Sequence, residues 1–135
     1  MYSKTGQSAY AQVSLESQVA GATPHQLITL LLEGAVSAMV RAKIYFETGN
    51  IAKRGEMISR AINIIDNGLR ASLNHEVGGQ VTEEMESLYE YVSRSLLLLN
   101  LEKKPEELPH LIEIMNNLST TWKEIEPAKK QVNHA

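Results

Sequence analysis

The sequence contains few residue combinations that could carry out chemistry, and the best of them is a Glu-x-x-His motif. Glu107 and His110 have the spacing that di-iron proteins use in a helical bundle. Such a site needs a second copy of the motif and two further inward-facing carboxylates, and the sequence has no second copy. Pro109 also places the motif at a helix start. The sequence therefore predicts no metal site.

The other candidate groups lack the partners that catalysis requires. His75 and Glu76 are adjacent, but no second histidine follows at the spacing of a zinc-protease helix. The chain has no cysteine, which excludes a thiol nucleophile, a disulfide scaffold and a Cys-ligated metal. It also lacks a Gly-rich phosphate loop and a Gly-x-Ser-x-Gly turn. We expect a protein that is not an enzyme and uses no cofactor.

Composition indicates a single soluble domain. The 135 residues are 43% hydrophobic and 21% charged, with a formal net charge of −3, which is ordinary for one globular fold. Lys and Arg are scattered, so no basic face for nucleic acid is expected. No stretch has the roughly 20 apolar residues that cross a bilayer, and the amino end has no signal-peptide core. We expect a cytoplasmic protein without membrane insertion.

The apolar pattern predicts four helices joined by short loops. Thr23 and Pro24 form a start signal for the first helix, which ends at residues 48–50. The second helix is expected to run from Asn50 to about Asn74, and two more follow before Pro127. With no strand alternation, the predicted fold class is all-α, an antiparallel up-down-up-down four-helix bundle. The predicted organisation is an arm over residues 1–20 that could dock as a short helix, a bundle over 21–126 and a polar tail over 127–135.

One stripe on each helix is predicted to form the core. These stripes contain Ile28, Leu32, Ala35, Met39, Ala42 and Phe46; Ile51, Ile58, Ile62, Ile65, Leu69 and Leu73; Val81, Met85, Leu88, Val92, Leu96 and Leu99; and Leu111, Met115, Leu118, Trp122 and Ile125.

The first helix carries more apolar residues than one stripe can hold. Its apolar face is roughly twice the width of about 100° that an ordinary bundle helix buries. Gly34 and Gly68 each cost about 1 kcal/mol relative to alanine inside a helix. Two interpretations stay open: Gly34 could permit close packing of a fully buried helix, or the glycines could lower the walls of apolar grooves that receive a partner helix.

Under the groove interpretation, the apolar residues outside the core stripes are candidates for binding a partner. Tyr10 belongs to the arm, whose apolar residues could dock on the bundle or leave when a partner arrives. The full candidate set is Tyr10, Leu27, Leu30, Gly34, Ile64, Gly68, Tyr91, Leu97, Leu98 and Leu101.

Several segments resemble the flagellar secretion chaperone FliS family. They are AYAQVSLESQVAGATPHQLITLLLEGA, ISRAINIIDNGLRASLNHEVGG, ESLYEYVSRSLL and the WKEI ending, in the family's order and spacing. The resemblance implies a four-helix bundle that binds the C-terminal segment of flagellin in the cytoplasm. It further implies that binding prevents premature polymerisation, assists delivery to the flagellar type III export apparatus and uses no ATP. Tyr10 matches a family aromatic associated with partner contact.

The expected partners are therefore flagellin and components of the export apparatus, with weak self-association also open. Two alternatives come from other functional classes. One is a self-associating helical adaptor or structural protein with no secretion client, and the other is a metal-dependent bundle enzyme.

Overall fold

The computed structural model describes residues 19–76 and 78–125, which fold into four main helices. We label them α1 (Pro24–Thr48), α2 (Ile51–Asn63), α3 (Gly79–Glu102) and α4 (Leu108–Glu124). Neighbouring helices run in opposite directions, since the start of α1 contacts the end of α4 and the start of α2 contacts the end of α3. No strand occurs in these two ranges, and the predicted all-α bundle is confirmed. Most of the predicted arm, including Tyr10, and the polar tail lie outside the described residues.

The boundaries of α1 follow from capping chemistry. The Thr23 hydroxyl accepts a hydrogen bond from the Gln26 backbone N–H, and the Gln26 side chain accepts one from the Thr23 N–H, at 3.1 and 2.9 Å. This reciprocal pair is a capping box. At the other end Gly49 adopts a left-handed conformation with φ of 73°, which glycine tolerates without a steric penalty. The Asn50 side chain then caps α2 by accepting from the Lys53 N–H.

The second helix differs from the single α-helix that the sequence predicts. After Asn63 the chain continues as a π-helix over Ile64–Leu69 and then as a 3₁₀ turn over Arg70–Ser72. We call these two turns the end of α2. A π-helix widens the turn and rotates the residues that follow it relative to a regular α-helix. The side chains of Asp66 and Arg70 consequently both face α3, where they contact Ser93 and Glu86 respectively.

About half of the predicted core residues are buried, most of the others are half-buried, and the three exposed ones lie at helix ends. Leu96, Leu111 and Met115 are fully buried. Ile51, Val81 and Ile125 were predicted to be core residues but are 62%, 67% and 59% exposed. They occupy a first turn or the residue after the last turn, where none of the four described helices covers them. The residues that are buried without having been assigned to a stripe include Ala38, Met57, Ala61, Tyr89 and Leu108.

The four seams of the bundle are packed unequally. Helix α1 packs closely on both α2 and α4, and α3 packs on α2, whereas α3 and α4 share little direct contact. The α2–α3 seam also holds Arg54, which donates from Nε to the Asn100 side-chain oxygen at 2.9 Å and lies 4.6 Å from the Phe46 ring centroid. As far as the described residues extend, the bundle is therefore closed on three sides and open between α3 and α4.

None of the helices in the described residues is long and apolar enough to cross a membrane.

Candidate client-binding groove

An apolar groove of about 450 Å³ opens where α3 and α4 separate. Leu32 and Leu69 form its floor and are almost completely buried. The lining residues are Ile28, Leu32, Leu69, Ser72, Leu73, Val81, Thr82, Met85, Tyr89, Leu118, Thr121, Trp122 and Ile125. Four of these residues carry a hydroxyl group, namely Ser72, Thr82, Tyr89 and Thr121, and the other nine are aliphatic or aromatic. We call this feature the α3–α4 groove; its size and lining are typical of a site that receives apolar groups.

One wall of the groove comes from α4. Trp122 stacks on the His25 ring with centroids 4.3 Å apart and planes tilted by 8°, and its Nε1 donates to the His25 carbonyl at 2.9 Å. An ion pair between Lys123 and Glu33 lies beside this contact. The end of α4 is thereby attached to α1, which fixes the Trp122 ring along the groove.

The opposite wall comes from the first turns of α3 and is attached to the end of α2. Arg70 donates from Nε to a Glu86 carboxylate oxygen at 2.9 Å, and one of its terminal nitrogens lies 2.7 Å from the same oxygen. Its other terminal nitrogen contacts Asp66 at 3.1 Å, and Asp66 accepts from the Ser93 hydroxyl at 3.1 Å. Glu90 lies 3.7 Å from the same guanidinium. We call these five residues the Arg70 cluster.

The charges of the Arg70 cluster stabilise one another. The hydrogen bond to Glu86 is the main cause of a raised Arg70 pKa, followed by the one to Asp66. The same bond lowers the pKa of Glu86. Both groups therefore remain charged at neutral pH, and the cluster acts as a fixed junction between α2 and α3.

None of the described residues that line the groove is charged at neutral pH. Among the described lining residues, Tyr89 is the one ionisable group, and burial raises the pKa of the Tyr89 hydroxyl to about 12. The same lining residues include no pair of carboxylates and no nucleophile with a base beside it. Among the described residues, no group of three or more His, Asp or Glu side chains is placed to hold a metal ion. The arrangement suits the burial of apolar side chains from another molecule.

Of the ten residues predicted from sequence, the nine that the structure describes do not line the α3–α4 groove. Leu27, Leu30 and Ile64 are half-buried, and Tyr10 lies outside the described residues. Tyr91, Leu97, Leu98 and Leu101 lie on the outer surface of α3 and are 42 to 66% exposed. Tyr91 donates a hydrogen bond to Glu107, and this bond raises the Tyr91 pKa. Leu98 borders a smaller hollow of about 280 Å³ between α3 and the turn before α4.

The two glycines face a neighbouring helix. A methyl group at Gly34 would lie 3.4 Å from the Ile64 Cδ1 atom, and one at Gly68 would lie 3.1 Å from a Leu31 methyl. Gly34 and Gly68 thus accommodate side chains across the α1–α2 seam. Close packing against Leu31 accounts for Gly68, whereas a methyl group at Gly34 would make an ordinary contact, and neither glycine lines the α3–α4 groove.

This geometry predicts opposite outcomes for two alanine substitutions. Gly34→Ala is expected to stabilise the fold by about 0.5 to 1 kcal/mol, because helix propensity improves and the new methyl makes an ordinary contact. Gly68→Ala should gain nothing or lose stability, because Leu31 must move by a few tenths of an ångström. Urea denaturation of both variants measures the difference. Equal stabilisation would contradict the tighter packing at Gly68.

Sequence reasoning missed the groove because it assigned most of the apolar lining residues to the core. Val81, Met85, Trp122 and Ile125 continue the buried stripes of α3 and α4, and a helical wheel treats each stripe as buried along its whole length. Two features of the sequence could have indicated the groove: these residues lie at helix ends, and Trp122 has a large side chain. The apolar pattern of one helix does not show how far away the next helix lies. Here α3 and α4 are too far apart to cover each other's stripes.

Comparison with known proteins agrees with this architecture. Residues 6–129 match the family described as flagellar protein FliS. A flagellar secretion chaperone FliS from Salmonella typhimurium is 46% identical over 127 residues, covering 94% of each chain. The one from Escherichia coli is 40% identical over 124 residues, covering 92% of this chain and 91% of that one. The one from Bacillus subtilis is 24% identical over 127 residues, covering 94% and 90%. The chain belongs to the FliS family of flagellar secretion chaperones.

Proposed function

We propose that this chain binds the C-terminal segment of flagellin in the cytoplasm, prevents its premature polymerisation and assists its delivery to the flagellar type III export apparatus. Two findings support the proposal. The family contains flagellar secretion chaperones, and the bundle has an apolar groove that its own described helices leave open. The groove is the observation that carries the proposal, because a holding chaperone needs apolar surface that remains accessible.

The client is expected to bind as one or more helices that place apolar side chains between α3 and α4. Burial of one leucine-sized side chain contributes about 1.5 to 3 kcal/mol. Ordering a disordered segment costs about 2 to 5 kcal/mol or more of the gross interaction energy. Several buried side chains are therefore needed before net affinity appears. A long client that also covers the exposed Leu97, Leu98 and Leu101 on α3 would supply them.

The same contacts explain how polymerisation would be prevented. A segment that is held along the bundle cannot simultaneously pack against other flagellin molecules, so sequestering it delays assembly until release. Release at the export apparatus then requires only competition for the apolar contacts, because the groove holds the client without a covalent step or a nucleotide.

The proposal is tested by mixing the purified chain with flagellin and with flagellin that lacks its C-terminal segment. Isothermal titration calorimetry should detect a complex with the complete protein and none with the truncated one. A polymerisation assay should show delayed filament growth for complete flagellin only. Undiminished binding to the truncated flagellin would contradict the proposed client segment.

A further inference from the structure

The two walls of the α3–α4 groove are fixed to different parts of the bundle. The α4 wall is attached to α1 through Trp122 and His25. The α3 wall is attached to α2 through the Arg70 cluster. Direct contact between α3 and α4 is sparse. The distance between the two walls therefore depends on the contacts that α4 makes with α1 and that α3 makes with α2.

Residues of the Arg70 cluster are sequence neighbours of residues that line the groove. Glu86 and Glu90 each follow a groove residue of α3 in sequence, Met85 and Tyr89. On α2, Arg70 follows Leu69, which forms part of the groove floor. The residues that bind Arg70 and those that line the groove therefore belong to the same helical turns and project from different sides of them.

This cluster is better placed to hold a helix than an ordinary surface ion pair. The side chains of Arg70, Asp66 and Glu86 are 28 to 34% exposed, which limits solvent screening. A guanidinium can contact two carboxylates at once in a fixed planar geometry, which a lysine cannot reproduce. Ser93, which is buried, ties Asp66 to α3 as well. The end of α2 is thus joined to α3 at two positions, by the Arg70–Glu86 contact and by the Asp66–Ser93 hydrogen bond.

We propose that Arg70 is a positioning residue for client binding, which keeps the α3 wall of the groove against α2 and so holds the groove open. The inference rests on the proposed function, since it assumes that the client enters this groove. Without the guanidinium, the Asp66 and Glu86 carboxylates lose their shared cation. The first turns of α3 are then free to move away from α2 and toward the open seam beside α4.

The first test compares Arg70→Met with Arg94→Met in binding a synthetic peptide of the flagellin C-terminal segment. Arg94 is a matched control, because it pairs with Glu90 on the same stretch of α3 but is 64% exposed. Arg70→Met is expected to weaken binding roughly fivefold to tenfold, and Arg94→Met to leave it unchanged. Circular dichroism establishes that both variants remain folded.

The second test measures the groove in the free protein. Because the chain has no cysteine, Glu84→Cys and Glu124→Cys can carry spin labels at exposed positions of α3 and α4. In the Arg70→Met background, the distance between the labels is expected to become shorter and more broadly distributed. A control pair at the exposed positions Ser37 and Asn117, on α1 and α4, should not change.

The outcomes separate this inference from the proposed function. Unchanged Glu84–Glu124 distances would overturn the role of Arg70, even if binding weakened, and so would a shorter distance with wild-type affinity. Failure of the unmodified protein to bind the peptide would instead contradict the proposed function. If Arg70→Met does not fold, Glu86→Gln preserves the Arg70–Asp66 contact and should produce a smaller change in both measurements in the same direction.

Discussion

Replacing Leu96 with Asp is expected to unfold the bundle, whereas the same replacement at the adjacent Leu97 is expected to leave it folded. Leu96 is completely buried and Leu97 is 48% exposed. An isolated carboxylate in an apolar core costs many kcal/mol unless it is protonated, which approaches the total stability of about 5 to 15 kcal/mol for a domain. At Leu97 the new carboxylate remains in water. Far-ultraviolet circular dichroism and the urea midpoint measure both effects.

Leu98→Asp provides a second control, because Leu98 is 45% exposed on the same helix. It should retain the helical signal while testing whether the outer face of α3 contacts the client. Loss of structure in the Leu97 and Leu98 variants as well as in the Leu96 variant would show that the burial assigned to α3 is wrong.

The largest expected effect on binding comes from Val81→Asp at the edge of the groove. Val81 is 67% exposed in the free protein, so the substitution should change stability little. A bound client would cover it, and the carboxylate would then lose water without gaining a partner. We expect affinity for the flagellin C-terminal segment to fall by about 100-fold, equivalent to roughly 2.7 kcal/mol, as measured by calorimetry.

Val40→Asp is the matched control for this prediction. It introduces the same charge in place of the same residue, at a position on α1 that is 40% exposed and does not line the groove. Binding should be unaffected. Wild-type affinity in the Val81 variant would place the client away from the α3–α4 groove, on the outer face of α3 or along the α1–α2 seam.

The helices were predictable because their signals are local. Thr23 and Gln26 form a capping box within four residues, and Gly49 supplies the left-handed turn that ends α1. The core stripes were also predictable in the middle of each helix, where neighbours on both sides cover them. Leu32, Ile65 and Leu96 are examples.

The π-helix and the groove could not be predicted because they depend on contacts between helices. An apolar pattern identifies the face of α2 that is buried but does not determine its hydrogen-bond register over Ile64–Leu69. Similarly, Val81 and Trp122 continue core stripes, and only the distance between α3 and α4 leaves them facing a groove. Gly34 faces Ile64 across the α1–α2 seam, but a methyl group would make an ordinary contact there, so packing alone does not require a glycine.

The open seam between α3 and α4 has a consequence for the motions of the free chaperone. Helices that share few buried contacts open locally at a lower free energy than the rest of a domain. The first turns of α3, which rely on the Arg70 cluster, should therefore exchange amide hydrogens sooner than the middle of α1, which is packed on two sides. A bound client would slow that exchange by supplying the missing packing. Client and chaperone would then complete a single hydrophobic core together, each ordering the part of the other that is least stable alone.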